Sequence, residues 1–434
     1  MRPIVLVLVD GLGDRASAEL DGRTSNEAAA TPGLDALCAR GSNGLLWPLG
    51  PGRAPSSEVA HWAMLGQRPE EFPGRAVLEA RGWGVELQPS HAYAYAALRP
   101  AERRDGRLWL TGRPGPGDED DARALVEAIA AAVPVTGRPP LAFSLTYLRK
   151  GEAILAVRGG DERLTDSDAF FRDRDPVLRP LPLVPDATLG ARTVEAWTRA
   201  AIELLAGHPI NRARAERGAP PLTAITTKWW GRPRPCPTLP ERTGLSGAIV
   251  AASPFLAGLA QTLGLEAVRL EETDDPAADL LLRLDRAARL LSDGATFVLT
   301  HQKAVDEAGH TKDPRERVRA LERLDAAVAR LAEPPFDGCV VCVTGDHATP
   351  TAPEVIHAGD PVPFALAGPG VRADRVTRFG ELDQREGILG HLRGEDVMPV
   401  LLNAADRPLF LGSRPTPTPF ALGPPAAPEA LELP

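Results

Sequence analysis

Candidate metal ligands cluster just after two apolar segments in the C-terminal part of the chain, residues 297–299 and 339–343. They are Asp306, His310, Asp346, His347 and His357. Each apolar segment predicts a buried strand, and the carboxyl ends of parallel strands form the ligand-binding edge of an open α/β sheet. Helix capping and surface ion pairs explain such a cluster less well than a divalent metal site does.

A further carboxylate follows the first apolar segment, residues 4–9, where Asp10 stands at the end of a predicted buried strand. Ser57 lies at or near the predicted start of a helix, where free N–H groups and the helix dipole favour phosphate. Such a serine is ordinarily an N-cap. Beside a divalent metal, however, its hydroxyl is readily deprotonated into a nucleophile. These positions therefore predict metal-dependent phosphoryl transfer.

Composition excludes several other classes of function. The chain has 434 residues and a formal net charge of -9, which argues against a nucleic acid polymer or an anionic membrane as partner. No segment reaches the ~20 apolar residues that span a bilayer, and no signal peptide precedes Ile4, so a cytoplasmic location is expected. The 4 cysteines are too few for a disulfide scaffold, and Cys339 and Cys342 are expected to pack as apolar residues in a strand.

The order of predicted elements indicates an α/β protein with an insertion. Apolar strands and amphipathic helices alternate before residue 92 and after residue 189. Between them, residues 92–189 predict strands around one helix at 120–133, which indicates a small α+β domain. We therefore expect a discontinuous core domain, residues 1–91 and 190–434, with a mostly parallel sheet flanked by helices.

Motifs that follow one another along the chain carry a family resemblance. They are Val9-Asp10-Gly11-Leu12-Gly13-Asp14, Ser57-Glu58-Val59-Ala60-His61, the segment 74–82, Asp306-Glu307-Ala308-Gly309-His310, Thr344-Gly345-Asp346-His347 and Gly394-Glu395-Asp396-Val397-Met398-Pro399. In this combination and order the chain resembles the archaeal-type cofactor-independent (2,3-bisphosphoglycerate-independent) phosphoglycerate mutases of the alkaline phosphatase superfamily.

The resemblance implies an alkaline-phosphatase-like core with an inserted substrate-contacting domain, and a reaction that interconverts 3-phosphoglycerate and 2-phosphoglycerate through a phosphoserine at Ser57. It also implies two divalent metal ions, with manganese favoured and zinc, cobalt or magnesium as alternatives. One ion would be held by Asp306, His310 and His357, and the other by Asp10, Ser57, Asp346 and His347. Lys303 either adds a point charge to the phosphate or pairs with Glu307.

The predicted substrate-binding part departs from the family pattern. The family's arginine-histidine pair and Ser-Asp-x-Asp-Pro-His segment correspond to residues 151–153 and 165–170, which lack both histidines. The family's Arg-Gly-Ala-Gly-Arg corresponds to Lys228-Trp229-Trp230-Gly231-Arg232. The two tryptophans either pack in a core or domain interface, or form a stacking platform for a bulkier substrate such as a nucleotide. Candidate substrate contacts are Arg75, Arg232, Lys228 and Asp168.

Three hypotheses of function follow. The first is phosphoglycerate mutase activity through a Ser57 phosphoenzyme. The second is a diverged relative that acts on another small phosphate or phosphonate substrate, as a phosphatase, phosphodiesterase or phosphonate transferase of secondary metabolism. The third is a binding protein that keeps the fold without the chemistry, which the apparently complete ligand set disfavours. The identity of the metal and the oligomeric state stay open.

Overall fold

The computed structural model describes residues 2–133, 135–136, 141–168, 175–410 and 420–421. In chain order the strands are β1 (Ile4–Val9), β2 (Ser42–Trp47), β3 (His91–Arg99), β4 (Ala101–Arg104), β5 (Arg107–Leu110), β6 (Val135–Thr136), β7 (Leu141–Arg149), β8 (Glu152–Arg158), β9 (Ala224–Gly231), β10 (Gly247–Ala251), β11 (Glu266–Arg269), β12 (Phe297–Gln302), β13 (Val340–Thr344), β14 (Val362–Ala367), β15 (Gly390–Arg393), β16 (Leu409–Phe410) and β17 (Phe420–Ala421).

The helices are α1 (Ser25–Ala28), α2 (Pro32–Ala39), α3 (Ser57–Met64), α4 (Arg75–Gly82), α5 (Glu119–Ala132), α6 (Thr188–Gly207), α7 (Pro209–Glu216), α8 (Leu239–Thr243), α9 (Pro254–Thr262), α10 (Pro276–Ser292), α11 (Ala304–His310), α12 (Pro314–Val328), α13 (Glu381–Gln384) and α14 (Gly394–Ala404). Among these described helices, none combines the length and apolar character needed to cross a bilayer. The predicted cytoplasmic location stays a prediction.

The chain divides into two compact units, of which the first comprises Met1–Phe72 and Cys236–Pro434. Its large sheet has the strand order β11-β10-β12-β1-β13-β14-β2-β15. Neighbouring strands run parallel from β11 to β13 and again between β2 and β15, whereas β14 is antiparallel to both of its neighbours. Helices pack against this sheet, so the predicted α/β class with a mostly parallel sheet is confirmed.

The register of the central strands explains why the candidate ligands meet. Strands β1, β12 and β13 are buried along their whole length, as their apolar composition predicts. Val9 pairs with Gln302 and Leu8 pairs with Thr344, so the three strands end at the same edge of the sheet. The segments that follow them therefore start side by side.

The second unit, Pro73–Pro235, has its own antiparallel sheet of order β6-β7-β8-β3-β9. This unit is larger than the predicted insertion at 92–189. Strand β9 belongs to it because it pairs with β3, and α6 belongs to it because its buried residues, among them Val194, Trp197 and Leu205, pack with α5 in the core of this sheet. Helix α4 lies against β3 and β9 as well.

None of the four cysteines, which all lie within the described residues, forms a disulfide. The thiols of Cys38, Cys339 and Cys342 are buried. Burial raises the pKa of the Cys342 thiol well above its usual value, which disfavours the reactive thiolate. Cys342 thus packs as an apolar group within β13, as the strand pattern predicts. Cys339 lies just before that strand, and its thiol donates to the Pro335 carbonyl at 3.3 Å.

Candidate metal centre

The candidate ligands come from the segments that follow β1, β12 and β13. Asp10 directly follows β1, Asp306 lies on α11 after β12, and Asp346 and His347 follow β13. His357 lies in the long loop before β14. Two sets of ligand atoms each lie within 4.8 Å of one another, namely Asp10, Asp346 and His347, and Asp306, His347 and His357.

His347 stands between the two sets. Its Nε2 atom lies 3.2 Å from Asp10 Oδ1 and 3.3 Å from Asp346 Oδ2. The same nitrogen is 3.0 Å from the Ser57 Oγ atom, and Ser57 is the first residue of α3. The His347 ring also stacks on the His357 ring, with the centroids 3.7 Å apart. The candidate nucleophile therefore borders both ligand sets.

His310 and His357 approach the same carboxylate. Their Nε2 atoms lie 3.3 Å and 3.9 Å from Asp306 Oδ1. The Nδ1–H group of His357 donates to the carbonyl of Pro55 at 3.0 Å, so the ring presents its other nitrogen to Asp306. The structure thus brings Asp306, His310 and His357 together, and the set Asp10, Ser57, Asp346 and His347 beside them.

The loop after Asp10 approaches the other ligands too closely for a side chain. Gly11 has φ +63°, and a Cβ atom there would lie 2.6 Å from Thr349 Oγ1 and 2.8 Å from Asp306 Oδ1. The Gly11 N–H donates to Asp346 Oδ1 at 3.0 Å, and Thr349 Oγ1 donates to Asp306 Oδ1 at 2.8 Å. Glycine is therefore required for both conformation and space.

Burial of several charges in one place shifts their pKa values in opposite directions. Burial and the charge of Asp10 raise the pKa of Asp346 to about 7. Burial acts in the same sense on Asp10, but the neighbouring imidazoles of His301 and His347 outweigh it and hold that pKa well below its usual value. Burial opposes the charge of His347, but Asp346 and Asp10 raise its pKa to about 9. The carboxylates thus attract positive charge strongly.

The buried carboxylates have more acceptor atoms than the protein has donors for them. Within the described residues, Asp10 Oδ1 and Asp346 Oδ2 are buried and accept no hydrogen bond of acceptable geometry. A buried carboxylate oxygen without a partner is strongly unfavourable, and a cation would satisfy it. Carboxylate and imidazole ligands together suit Mn²⁺, Co²⁺, Zn²⁺ and, less often, Mg²⁺. The residues therefore fit divalent metal ions.

Two more histidines contact this cluster, and neither contact was predicted from the sequence. His301, near the end of β12, is buried with Nε2 3.3 Å from Asp10 Oδ2. His61, on α3, donates from Nδ1 to the Ser57 carbonyl at 2.6 Å and lies 3.6 Å from Asp346 Oδ2. His301 lies between Thr300 and Gln302, so the second half of this buried strand is polar, and that was the available signal for His301.

Lys303 lies just beyond β12 and forms an ion pair. Its Nζ atom is 3.5 Å from Glu307 Oε1, one helical turn away. Of the two roles left open by the sequence, the structure contains the pair with Glu307. Burial opposes the ammonium charge, but Glu307 and Asp10 together raise the pKa of Lys303. Lys303 therefore stays protonated, and its contact with a phosphate stays a prediction.

In the second unit, two of the predicted substrate contacts are paired within the protein. Arg232 donates from Nε to Glu162 Oε2 at 2.9 Å. Asp168 is buried, and its Oδ2 atom accepts from Arg99 Nη1 at 3.3 Å and from Thr226 Oγ1 at 2.8 Å. Substrate contact by Arg232 or Asp168 would require each to exchange an internal partner.

Arg75 and Lys228, the remaining predicted substrate contacts, flank Trp229, and Arg75 also has an internal partner because its Nε donates to Glu79 Oε1 at 3.3 Å. The Arg75 guanidinium lies 4.0 Å from the Trp229 ring centroid, and Lys228 Nζ lies 4.3 Å from it. Burial lowers the pKa of Lys228. Trp229 has φ +60° and packs beside Tyr95 at 5.1 Å, whereas Trp230 is buried in the core of this unit. The two tryptophans thus differ in their surroundings. Trp230 packs in the core, whereas the Trp229 ring contacts two cationic side chains.

Comparisons with known proteins agree with this geometry. Residues 2–404 match the metalloenzyme superfamily. The 2,3-bisphosphoglycerate-independent phosphoglycerate mutase of Methanopyrus kandleri is 36% identical over 94% of this chain and 97% of its own length. The corresponding Pyrococcus furiosus protein is 31% identical over 93% of this chain and 97% of its own length. Among solved structures, the cofactor-independent phosphoglycerate mutase of Thermoplasma acidophilum covers 93% of this chain and 100% of its own at 28% identity, with a TM-score of 0.62.

Replacing Asp346 should reveal the charge conflict in metal-free protein. At pH 8 we expect Asp346→Asn to raise the free energy of unfolding by on the order of 1 kcal/mol, because the pKa shift makes the ionised carboxylate unfavourable in the folded state. A group with a raised pKa stabilises the fold at low pH and loses that contribution as the pH rises. Asp346, from 3.8 to about 7, and His347, from 6.5 to about 9, share this sign. The free energy of unfolding of wild type should therefore fall relative to that of the variant as the pH rises from about 4 to about 9. Urea unfolding in the presence of a chelator measures this difference.

Added Mn²⁺ should make wild type more stable to unfolding than Asp346→Asn, which is the reverse of their order without metal. Saturation at about 100 times Kd stabilises a binding protein by about 2.7 kcal/mol, and we expect Asp346→Asn to lose most of that gain. Asp383→Asn, at an exposed position of α13, serves as the control and should behave as wild type. An equal gain from Mn²⁺ in Asp346→Asn and wild type would contradict the assignment of Asp346 as a ligand.

Proposed function

The chain belongs to the metalloenzyme superfamily and, within it, to the archaeal-type 2,3-bisphosphoglycerate-independent phosphoglycerate mutases, and from this premise we propose that it interconverts 3-phosphoglycerate and 2-phosphoglycerate by metal-dependent phosphoryl transfer. The observation that carries the proposal is the position of the Ser57 hydroxyl. It lies at the N-terminus of α3, 3.0 Å from His347 Nε2, beside a cluster of buried carboxylates.

We propose that the cluster holds two divalent ions in the sets implied by the family resemblance. These are Asp306, His310 and His357 for one ion, and Asp10, Ser57, Asp346 and His347 for the other. Such ions, when bound, lower the pKa of the serine hydroxyl and neutralise charge on the phosphoryl oxygens during transfer. Manganese is the proposed metal, with zinc, cobalt and magnesium as alternatives that the same ligand types accept.

In the proposed reaction, Ser57 is the nucleophile. Its Oγ atom attacks the phosphorus of 3-phosphoglycerate, and the bond from phosphorus to the C3 oxygen breaks, which leaves phosphoserine and glycerate. The C2 oxygen of glycerate then attacks the phosphoserine, and Ser57 is restored. The serine proton lost in the first half is returned in the second, and the proton of the C2 hydroxyl is exchanged for one on the C3 oxygen. The protonated Lys303 supplies positive charge near the cluster.

The second unit supplies the proposed substrate contacts. The charged groups of Lys228 and Arg75 both lie within 4.3 Å of the Trp229 ring centroid. Two positive charges therefore lie beside one flat apolar surface. Phosphoglycerate carries a phosphate and a carboxylate, which such cations bind. Lys228 provides a single point charge, whereas the arginine of the family motif would provide a bidentate contact. We propose Lys228, Arg75, Arg232 and Asp168 as contacts. Arg75, whose Nε donates to Glu79 Oε1 at 3.3 Å, would exchange an internal partner, as would Arg232 and Asp168.

The exposed part of the same surface supports a second candidate function. An aromatic ring flanked by two cations suits a phosphate or phosphonate substrate that is bulkier than phosphoglycerate or carries a ring. The protein would then act as a phosphatase, phosphodiesterase or phosphonate transferase through the same serine. Incubation with nucleotides and phosphonate esters, followed by mass spectrometry of the Ser57 peptide, separates this candidate from the first.

A coupled assay tests the proposed activity. With Mn²⁺ and 3-phosphoglycerate we expect formation of 2-phosphoglycerate, and we expect Ser57→Ala to lower kcat roughly 1,000-fold or more because the covalent step has no nucleophile. Ser56→Ala is the matched control, since the side chain of Ser56 makes no capping hydrogen bond to α3, and it should keep kcat within about twofold. If wild type formed no 2-phosphoglycerate with any of several divalent metals, the mutase activity would be excluded. Equal rates for Ser57→Ala and wild type would exclude the serine mechanism.

A substitution at Lys228 tests the substrate contact. Lys228→Met keeps most of the apolar stem and removes the charge, and a hydrogen bond to a charged group contributes about 1.5–3 kcal/mol. We therefore expect KM for 3-phosphoglycerate to rise roughly 10-fold or more, with the affinity for Mn²⁺ unchanged. Lys150→Met, at an exposed turn of the same unit, is the control. Unchanged KM in Lys228→Met would remove Lys228 from the substrate site.

A further inference from the structure

Arg317 is a fully buried arginine on α12 that binds the loops carrying the candidate ligands. Its side chain is inaccessible to solvent. The five N–H groups of an arginine point outward from a rigid plane, and all of them are used here. Nη1 donates to the carbonyls of Gly11 and Thr349 at 2.9 Å and 2.8 Å. Nη2 donates to the carbonyls of Leu12 and Gly13 at 2.9 Å and 3.1 Å, and Nε donates to Ser25 Oγ at 2.9 Å.

The acceptors belong to the two loops that follow β1 and β13. Gly11, Leu12 and Gly13 directly follow the ligand Asp10, and Thr349 lies two residues after the ligand His347 and three after the ligand Asp346. The loops also bond to each other, from Gly13 N–H to the His347 carbonyl at 3.1 Å and from Thr349 N–H to the Gly13 carbonyl at 3.0 Å. One guanidinium thus crosslinks both loops at the point where they meet.

The third ligand-bearing segment approaches the same guanidinium. Helix α12 begins at Pro314, soon after α11 ends at His310. A Cβ atom on Gly309 of α11 would lie 3.0 Å from Arg317 Nη1 and 2.6 Å from the Thr349 carbonyl oxygen. The absence of a side chain at Gly309 therefore lets α11 pack directly on the crosslink. The positions of all three segments that supply carboxylate ligands depend on one side chain.

The charge of Arg317 has a partner of its own. Asp14 Oδ2 lies 3.6 Å from Arg317 Nε, and both side chains are buried. The same Asp14 oxygen accepts from the Ser25 N–H at 2.8 Å. The guanidinium is thus neutralised outside the ligand cluster, and it contacts the ligand loops through backbone carbonyls alone. Its effect on the ligands acts through their position.

We propose that Arg317 is a positioning residue of the metal centre, which holds the loops of Asp10, Asp346 and His347 in the arrangement that binds divalent ions. This inference rests on the metal centre of the proposed function. Lysine cannot replace arginine here, because an ammonium group offers three donors from one point and cannot reach carbonyls spread around a plane. Side chains that orient metal ligands without touching the metal typically change metal affinity 10- to 100-fold when replaced.

Arg283 offers a matched control in the same unit. It is as deeply buried as Arg317 and lies on α10. Its guanidinium forms two hydrogen bonds with Asp279, one turn earlier on the same helix, at 2.8 Å and 2.9 Å. Arg283→Lys therefore disturbs a buried arginine without disturbing a ligand loop, and it separates a general loss of stability from a specific loss of metal binding.

The test compares Arg317→Lys, Arg283→Lys and wild type by calorimetric titration of the metal-free proteins with Mn²⁺. We expect Kd to rise about 10- to 100-fold in Arg317→Lys and to stay within about twofold in Arg283→Lys, although urea unfolding should show both metal-free variants to be destabilised. Equal Kd values for Arg317→Lys and wild type would overturn the inference and leave the proposed function standing. Absence of Mn²⁺ binding to wild type would overturn both.

A milder variant keeps the inference testable should Arg317→Lys not fold. Ser25→Ala removes the acceptor of Arg317 Nε and leaves the carbonyl contacts in place, so the fold should be retained. The loss of one hydrogen bond, about 0.5–1.5 kcal/mol, should weaken Mn²⁺ binding about 2- to 10-fold. Ser292→Ala, which removes a hydroxyl that bonds only to its own helix α10 at Ala288, should not change Kd. Equal Kd values for Ser25→Ala and Ser292→Ala would overturn the inference.

Discussion

Repulsion among buried carboxylates is the interaction to which the rest of the first unit is adapted. Asp10, Asp306 and Asp346 are each almost inaccessible to solvent, and ligand atoms of Asp10 and Asp346 lie within 4.8 Å of each other. Two like charges 4 Å apart repel by about 4 kcal/mol at the effective dielectric constant typical of such sites. The whole folded state of a domain is stable by only about 5–15 kcal/mol. Such a cluster therefore survives only on a scaffold that cannot relax away from it.

The scaffold resists relaxation at two levels. The central strands β1, β12 and β13 are apolar and buried on both faces, so that moving the end of one strand would expose core residues. The loops beyond the strands lack such a core and are held by hydrogen bonds instead, from Arg317 to their carbonyls and from Gly11 N–H to Asp346. Imidazole groups supply part of the missing positive charge, which is why the pKa of His347 is raised to about 9. Divalent ions compete with that proton, so metal affinity should fall as the pH falls.

The sequence was sufficient to predict that Asp10, Asp306, Asp346 and the nearby histidines meet, because the signal lies in residue type and in position relative to strands. Asp10, Asp306 and Asp346 follow strands that begin with apolar residues, and the shared edge follows from parallel pairing. Their role as metal ligands stays a prediction. Arg317 gave no such signal, since an arginine on an amphipathic helix is usually exposed, and its acceptors are backbone carbonyls that any sequence possesses. The second unit extends beyond residues 92–189 for a similar reason. Strand β9 joins β3 across more than a hundred residues, and no local pattern specifies that pairing.

Substrate contacts were harder to predict because arginine, lysine and aspartate pair with one another as readily as with a ligand. In the second unit Arg75, Arg232 and Asp168 all have internal partners, so pairing alone does not show which residues bind a substrate, and the backbone of Trp229 is the more specific feature. Its φ of +60° is a left-handed conformation, which costs an L-residue roughly 1–2 kcal/mol and a glycine almost nothing. By the family resemblance, a glycine stands at this position in Arg-Gly-Ala-Gly-Arg. The Trp229 N–H donates to Asp166 Oδ1 at 2.9 Å, and the ring contacts Arg75, Lys228 and Tyr95. These interactions offset the strain of the left-handed backbone. Because they join segments that are far apart in the chain, no local sequence pattern specifies them.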